Sequence, residues 1–119
     1  MRNFRDFTVW QKSMILAREI YSAVKLLPKE EQYGLSDQIR RAAISIPSNI
    51  AEGCARDSEK EFAHFISIAQ GSAAELETQL LLCEDIGLLG KEVTSVILPH
   101  IEEINKMLQS LAARLRASS

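Results

Sequence analysis

Apolar residues recur at steps of three and four positions over four long stretches of this 119-residue chain. Such steps place apolar side chains on one face of an α-helix. They predict helices over residues 9–27, 35–55 and 91–114, and one from 58 to 87 or 90. The links between them are short and polar, which favours antiparallel neighbours. The pattern therefore predicts an all-α fold, an up-down-up-down antiparallel four-helix bundle, with residues 1–119 as one domain.

Each predicted helix carries an apolar stripe that we expect to face the core. The stripes comprise Trp10, Met14, Ala17, Tyr21 and Val24 in the first helix, Leu35, Ile39, Ala42, Ile46, Ile50 and Cys54 in the second, Phe62, Phe65, Ala69, Ala73, Leu76 and Leu80, widened by Ala63, Ala74 and Leu81, in the third, and Ile97, Ile101, Ile104, Leu108, Leu111 and Leu115 in the fourth. The last stripe alternates steps of four and three, which is the spacing of a heptad seam.

Two hydroxyl side chains stand where predicted helices begin. Thr8 is followed three positions later by Gln11, and Ser58 by Glu61. This is the spacing of a capping box, in which each side chain satisfies a backbone N–H group at the start of the helix. We expect both pairs to be structural caps.

Two residues are expected to shape the second helix. Pro47 lies inside its apolar pattern. Because proline lacks an N–H donor and crowds the carbonyl of Ala43, it predicts a kink in one helix rather than two separate helices. Gly53 is expected to mark the weakening end of this helix.

The overall composition is that of a soluble globular protein, with 46% hydrophobic and 25% charged residues. No apolar run reaches the ~20 residues that a membrane span needs, and no signal peptide is recognisable. Cys54 and Cys83 fit neither a zinc motif nor a disulfide framework, so we expect two buried thiols. These features predict a cytoplasmic protein without a membrane partner.

The net charge of −2 argues against a general nucleic-acid-binding protein, but the charge is unevenly distributed. In an up-down-up-down bundle, seven basic residues gather at one end, against four acidic ones. The basic residues are Arg2, Arg5, Lys12, Arg56, Lys60, Arg114 and Arg116. We expect any contact with nucleic acid at this end, through phosphate groups. The alternative is a solvated rim with mobile termini.

Four aliphatic residues lie outside the predicted stripes. Ile15 and Leu26 share a face of the first helix, and Ile68 and Leu82 share a face of the third. A single bundle would expose both pairs, which favours their use as a subunit interface. Replacing Ile15 or Leu26 with glutamate is expected to weaken assembly and to leave the helices intact.

Catalytic motifs are weak in this chain. Glu61 and His64 form one Glu-x-x-His step, the unit of di-iron bundles, but the sequence has no second unit. Arg56 and His64 are too far apart for the Arg-His step of helical-bundle ribonucleases, and Arg56 is expected to pair with Glu52 at i,i+4. We therefore assign no catalytic residue, cofactor or metal ligand.

Arg40 and Arg41 open the second helix, where the helix dipole opposes positive charge. One interpretation is a contact with an anion or a partner. The other is an ion pair within the bundle or between subunits, since the acidic Glu84 and Asp85 are expected at the same end of the bundle.

Short runs spread over the first three predicted helices carry a family resemblance. They are residues 9–11, 33–35, 38–42, 45–46, 49–53, 56, 58, 61–62, 68–69, 71–72, 75–76 and 78. Together they resemble the four-helix-bundle family of proteins encoded in intervening sequences of bacterial 23S ribosomal RNA genes, over residues 4–90. The chain is also similar, more distantly, to the accessory protein of diversity-generating retroelements.

The resemblance implies a homopentamer with a central opening and no assigned activity. The retroelement protein is a basic pentamer that binds nucleic acid and a reverse transcriptase. Residues and resemblance together favour a non-enzymatic, homo-oligomeric scaffold or adaptor, in contact with nucleic acid or with a nucleic-acid-processing protein. The alternative function is that of a helical-bundle nuclease or metal-dependent enzyme.

Overall fold

Four α-helices make up most of residues 2–119, the part of the chain that the computed structural model describes. α1 comprises Thr8–Val24, α2 Leu35–Cys54, α3 Glu59–Asp85 and α4 Lys91–Ser118, with single 3-10 turns at Phe4–Asp6 and Lys29–Glu31. No strand occurs between residues 2 and 119. The all-α prediction is confirmed. Met1, which the single-domain prediction includes, lies outside the described residues.

The helix ends differ from the predicted ones mainly in α1 and α4. α4 continues past residue 114 to Ser118, and α1 ends at Val24 instead of residue 27. The N–H groups of Leu26 and Leu27 bind the carbonyls three residues before them, at 3.0 and 3.1 Å. Such bonds tighten the last turn of a helix, here just before Pro28.

Neighbouring helices run in opposite directions. Lys12 and Glu19 on α1 contact Glu103 and His100 on α4, so the numbering rises on one helix and falls on the other. Ser45 on α2 reaches Ser72 on α3 through a 2.7 Å hydrogen bond between their hydroxyls. Each helix packs against two neighbours, and the bundle measures 45 × 23 × 19 Å.

One continuous core joins all four helices. The predicted stripe of α4 is buried throughout, and so is that of α2 apart from the half-buried Leu35 at its start. In α3, Phe62, Ala63 and Leu76 are buried with most of their stripe, but Ala74 and Leu81 are exposed. The prediction that these two residues widen the core face is therefore wrong.

The predicted core face of α1 is wrong except for Val24. Val9, Leu16 and Ile20 face the core instead, together with Ser13 and Ala23. The buried Ser13 hydroxyl is satisfied because it donates to the Trp10 carbonyl at 2.8 Å. α1 thus has two apolar faces with the same spacing, and spacing alone does not distinguish the face that packs inside.

The start of α1 also differs from the prediction. Phe7 occupies the N-cap position without a side-chain cap bond, and Thr8 is already inside the helix. The Gln11 side chain donates to the Arg5 carbonyl at 2.7 Å, so the Thr8–Gln11 capping box does not form. The Phe7 ring packs edge-on against the Phe62 ring, 5.7 Å between centroids, which fixes the start of α1 by packing instead.

The start of α3 has a side-chain cap. Ser58 is the N-cap residue, and its hydroxyl accepts the Glu61 N–H at 3.1 Å. This bond satisfies one of the N–H groups that the first turn leaves without a partner in the helix.

Pro47 and Gly53 both belong to α2. The helix continues through the buried Pro47 and ends at Cys54, one residue after Gly53. Gly53 also lies where α2 meets α3, because a Cβ atom there would be 2.7 Å from Phe65 Cβ and 2.9 Å from Phe62 Cδ1. Glycine therefore permits a close approach of the two helices that no other residue allows without movement.

Candidate functional site

An open apolar groove runs along the outside of the bundle between α1 and α2. Its walls are formed by Trp10, Met14, Ala17 and Tyr21 from α1 and by Ile44, Pro47 and Ala51 from α2, with Phe4 at one end and Arg18, Ser22 and Ser48 at the rim. We name this surface the α1–α2 groove. Its volume of about 810 Å³ has room for several side chains.

The α1–α2 groove contains the apolar face of α1 that the core does not use. Tyr21 and Ile44 each keep 43% of their surface exposed. The Phe4 ring packs edge-on against Trp10, 5.0 Å between centroids, and holds the indole in place at the end of the groove. Exposed apolar side chains that cluster in one groove are typical of an interaction site.

A second exposed apolar surface lies on the side of α3 that faces away from the core. Ile68 and Leu82 are exposed there. A Cβ atom added at Gly71 would have no contact within 4 Å among residues 2–119. Glu75 lies between them in the sequence and is exposed. We name this surface, Ile68, Gly71, Glu75 and Leu82, the α3 outer face.

The other predicted interface pair lies elsewhere. Ile15 is exposed, and Leu26, 62% exposed, borders a shallow groove between α1 and α4 with Val96. The four aliphatic residues expected at an interface are thus all at the surface, but on two separate sides of one copy. Sequence reasoning missed Ile44, since one exposed isoleucine inside a helical pattern gives no signal of its own.

Three of the seven predicted basic residues contact carboxylates. Arg2 binds the Glu59 carboxylate and, at 2.6 Å, the Arg56 carbonyl. Arg56 binds Glu52 at 2.8 Å, which confirms the expected i,i+4 pair. Lys12 binds Glu103 on α4 at 3.1 Å. These pairs reduce the local positive charge.

The remaining four have no ion pair among residues 2–119. Arg116 donates to the Ser67 hydroxyl at 3.0 Å and borders the same cleft as Lys60. Arg5 lies over the Phe4 ring at 4.6 Å. We name the four residues the unpaired cations: Arg5, Lys60, Arg114 and Arg116.

Arg40 and Arg41 are held by neighbours in sequence. Arg41 binds Asp37 at 3.1 Å, and Arg40 donates to the Gln32 carbonyl at 3.3 Å. The interpretation as an ion pair within the bundle holds for Arg41, whose partner is Asp37 one turn away rather than Glu84 or Asp85.

The residues considered for catalysis do not form an enclosed site. Glu61 and His64 are both exposed on α3. Arg56 lies 4.8 Å above the Phe65 ring, and the His64 ring meets the edge of the same phenylalanine at 5.6 Å. Within residues 2–119, no three His, Cys, Asp or Glu side chains converge as they would around a metal ion.

Both cysteines are buried and free of disulfides. Burial raises the pKa of the Cys54 and Cys83 thiols above the ordinary value of 9.0, and at Cys54 the positive charge of Arg2 opposes this effect in part. Neutral, enclosed thiols are poor nucleophiles and poor metal ligands.

None of the helices between residues 2 and 119 combines the length and apolarity of a membrane span.

The fold and surfaces define an all-α helical bundle whose exposed apolar surfaces have no partner within one copy. The chain belongs to the family of 23S rRNA-intervening sequence proteins, which it matches over residues 5–110. It is similar to a crystal structure of a protein of unknown function from the S23 ribosomal protein family of Bacteroides thetaiotaomicron VPI-5482. The two share 31% identity and a TM-score of 0.82, over 88% of this chain and 98% of the other. A comparison with curated proteins gives no match.

Proposed function

We propose that the protein is a non-enzymatic scaffold that assembles into a ring-like homopentamer and brings its basic end to nucleic acid or to a nucleic-acid-processing protein. The α1–α2 groove carries the proposal, because its walls are mainly apolar and a single bundle leaves Tyr21 and Ile44 in it exposed. Complete burial of a side chain such as Ile or Met contributes about 1.5–3 kcal/mol, so several half-exposed ones together favour association.

The candidate interface residues support self-association from several sides. Ile15 and Leu26 lie on one side of the bundle, and Ile68 and Leu82 on another. A ring needs two contact surfaces on every copy, whereas a two-fold dimer needs only one. Exposed apolar residues on more than one side therefore favour a ring over a dimer.

Repetition of the basic end around a ring would strengthen its binding to a phosphate backbone. Four unpaired cations on one copy form a weak site for a phosphate backbone. In a ring, the same set is presented several times on one surface, and linked weak contacts bind more strongly than any one alone. The two buried, unpaired thiols support a location in the reducing cytoplasm.

Light scattering coupled to size exclusion tests the assembly. A homopentamer has five times the 13.3 kDa mass of one chain. The mass should persist on dilution to low micromolar concentration, and Ile68→Glu should reduce it without loss of helical circular dichroism. A monomeric mass for the unaltered protein at all concentrations would contradict the proposal.

A further inference from the structure

We infer that the α1–α2 groove of one copy receives the α3 outer face of the next, so that self-assembly is head-to-tail. This inference rests on the proposed self-association and specifies the two surfaces that meet. It commits to a second copy of the chain as the occupant of the groove. Three features of the structure support this pairing: shape, charge and height along the bundle.

The shapes of the two surfaces are complementary. The groove is concave and lined by Trp10, Met14 and Pro47. The α3 outer face presents exposed aliphatic side chains at Ile68 and Leu82, and at Gly71 it has only backbone. A helix can approach its neighbour closely where a small residue faces it. Pairing two grooves would instead leave their concave surfaces apart.

The charges of the two surfaces also favour the unlike pair. Arg18 stands at the rim of the groove and has no ion pair among residues 2–119. Glu75 on the α3 outer face has only a 3.4 Å hydrogen bond from the Gln79 side chain. Pairing two α3 outer faces would bring two Glu75 carboxylates towards each other. Pairing face with groove brings Glu75 towards Arg18, and complementary charge fixes the register of an interface.

The two surfaces lie at the same height along the bundle. The 2.7 Å hydrogen bond between Ser45 and Ser72 places Gly71 beside the part of α2 that contains Ile44 and Pro47. These two residues line the groove. A rotation about an axis parallel to the bundle keeps every height unchanged. Head-to-tail contacts at equal height therefore meet one condition for a closed ring, whereas contacts at unequal height continue into a filament.

Cysteine cross-linking tests which surfaces meet. One variant carries Ser48→Cys at the rim of the groove, and a second carries Gly71→Cys on the α3 outer face. Both positions are exposed, and the native thiols are buried. Each variant is produced alone, and the two are also co-expressed with different tags and oxidised as intact assemblies. We expect a cross-linked dimer that contains both tags in the mixed sample, and none when either variant is alone.

A charge exchange gives an independent readout. Arg18→Glu and Glu75→Arg should each lower the assembled fraction in light scattering, and the Arg18→Glu/Glu75→Arg protein should recover it. The matched control is Ala113→Glu, an exposed position on α4 outside both surfaces. Recovery in the double variant is specific to a direct contact, because loss of folding in either single variant would not be reversed by the other.

The outcomes separate this inference from the proposed function. An assembled protein whose single cysteine variants cross-link with themselves would retain the proposed function and overturn the head-to-tail pairing. If the protein assembles but no cross-link forms, the α3 outer face does not lie in the groove, and the pairing is overturned as well. A monomeric protein at all concentrations would overturn both.

Discussion

Gly53→Ala is expected to destabilise the protein although alanine is the better helix former. The new Cβ would lie 2.7 Å from Phe65 Cβ and 2.9 Å from Phe62 Cδ1. Favourable carbon–carbon contacts are about 3.5–4.0 Å apart. Phe62 is fully buried and packs against the Phe7 ring, so it has little room to withdraw. Relief therefore requires α2 and α3 to separate locally.

The magnitude follows from two opposing terms. Overpacking of this kind costs about 1–3 kcal/mol. Replacement of glycine by alanine inside a helix contributes up to ~1 kcal/mol in the other direction, and less here, because Gly53 is next to the last residue of α2. We expect a net loss of about 1–2 kcal/mol in the free energy of unfolding. At this chain length, that corresponds to a melting temperature lower by roughly 4–8 °C.

Within one copy, Gly71→Ala is the matched control, because no atom of residues 2–119 lies within 4 Å of a Cβ at that position. In the unassembled protein it should raise the free energy of unfolding by about 0.5–1 kcal/mol. Both variants are compared with the unaltered protein by urea unfolding followed by circular dichroism. The comparison is made at several protein concentrations, since assembly couples stability to concentration. A Gly53→Ala protein as stable as the unaltered one would refute the close-approach argument.

Three further predictions concern the cap, the thiols and the basic end. Ser58→Ala should cost ~1 kcal/mol of stability in urea unfolding and leave any partner binding unchanged, because its hydroxyl caps α3; lost binding at equal stability would make this turn a functional site. Because burial raises the pKa of Cys54 and Cys83, the neutral thiols favour the folded state fully below about pH 9, and this stabilisation is lost as the pH rises through the raised values. As the pH rises above about 9, stability should therefore fall more steeply than in a Cys54→Ala/Cys83→Ala protein, and equal slopes would contradict this. Alanine at all four unpaired cations should weaken binding to single-stranded oligonucleotides and flatten its salt dependence, whereas the control, with alanine at the same number of basic residues at the opposite end, should not. Those control positions are Lys25, Lys29, Arg40 and Lys91. Binding that is undetectable at low salt, or equal in both variants, would exclude the basic end as a nucleic-acid site.

The helices were predictable because each one carries its own local signals. The α4 stripe from Ile97 to Leu115 repeats without interruption, and every member is buried. Ser58 caps α3 at the residue where its pattern begins. Such signals involve residues a few positions apart in one helix, and they do not depend on neighbouring helices.

The failures concern choices that depend on the neighbouring helix. Thr8 has the spacing of a cap, but Phe7 packs on Phe62 from α3 and occupies the position instead. Gly53 does lie at the end of α2, as predicted, but its contacts with Phe62 and Phe65, which arise only when α2 and α3 meet, were not predicted. Arg2 binds the Glu59 carboxylate, which is 57 positions away in the sequence, and this pair reduces the positive charge that Arg2 offers to another partner. None of these partners is encoded in the local spacing.

The error in α1 bears directly on function. The face with Trp10, Met14 and Tyr21 has the three- and four-residue spacing of a core face, and that spacing predicts it to be buried. The bundle instead buries Leu16 and Ile20, next to the small Ser13 and Ala23, and leaves Tyr21 exposed and Trp10 and Met14 half-buried. A helix that carries two apolar faces can bury both only against two different partners. The other helices of the bundle are the first partner, and the exposed face therefore calls for a second, which head-to-tail packing against the α3 outer face of another copy would supply.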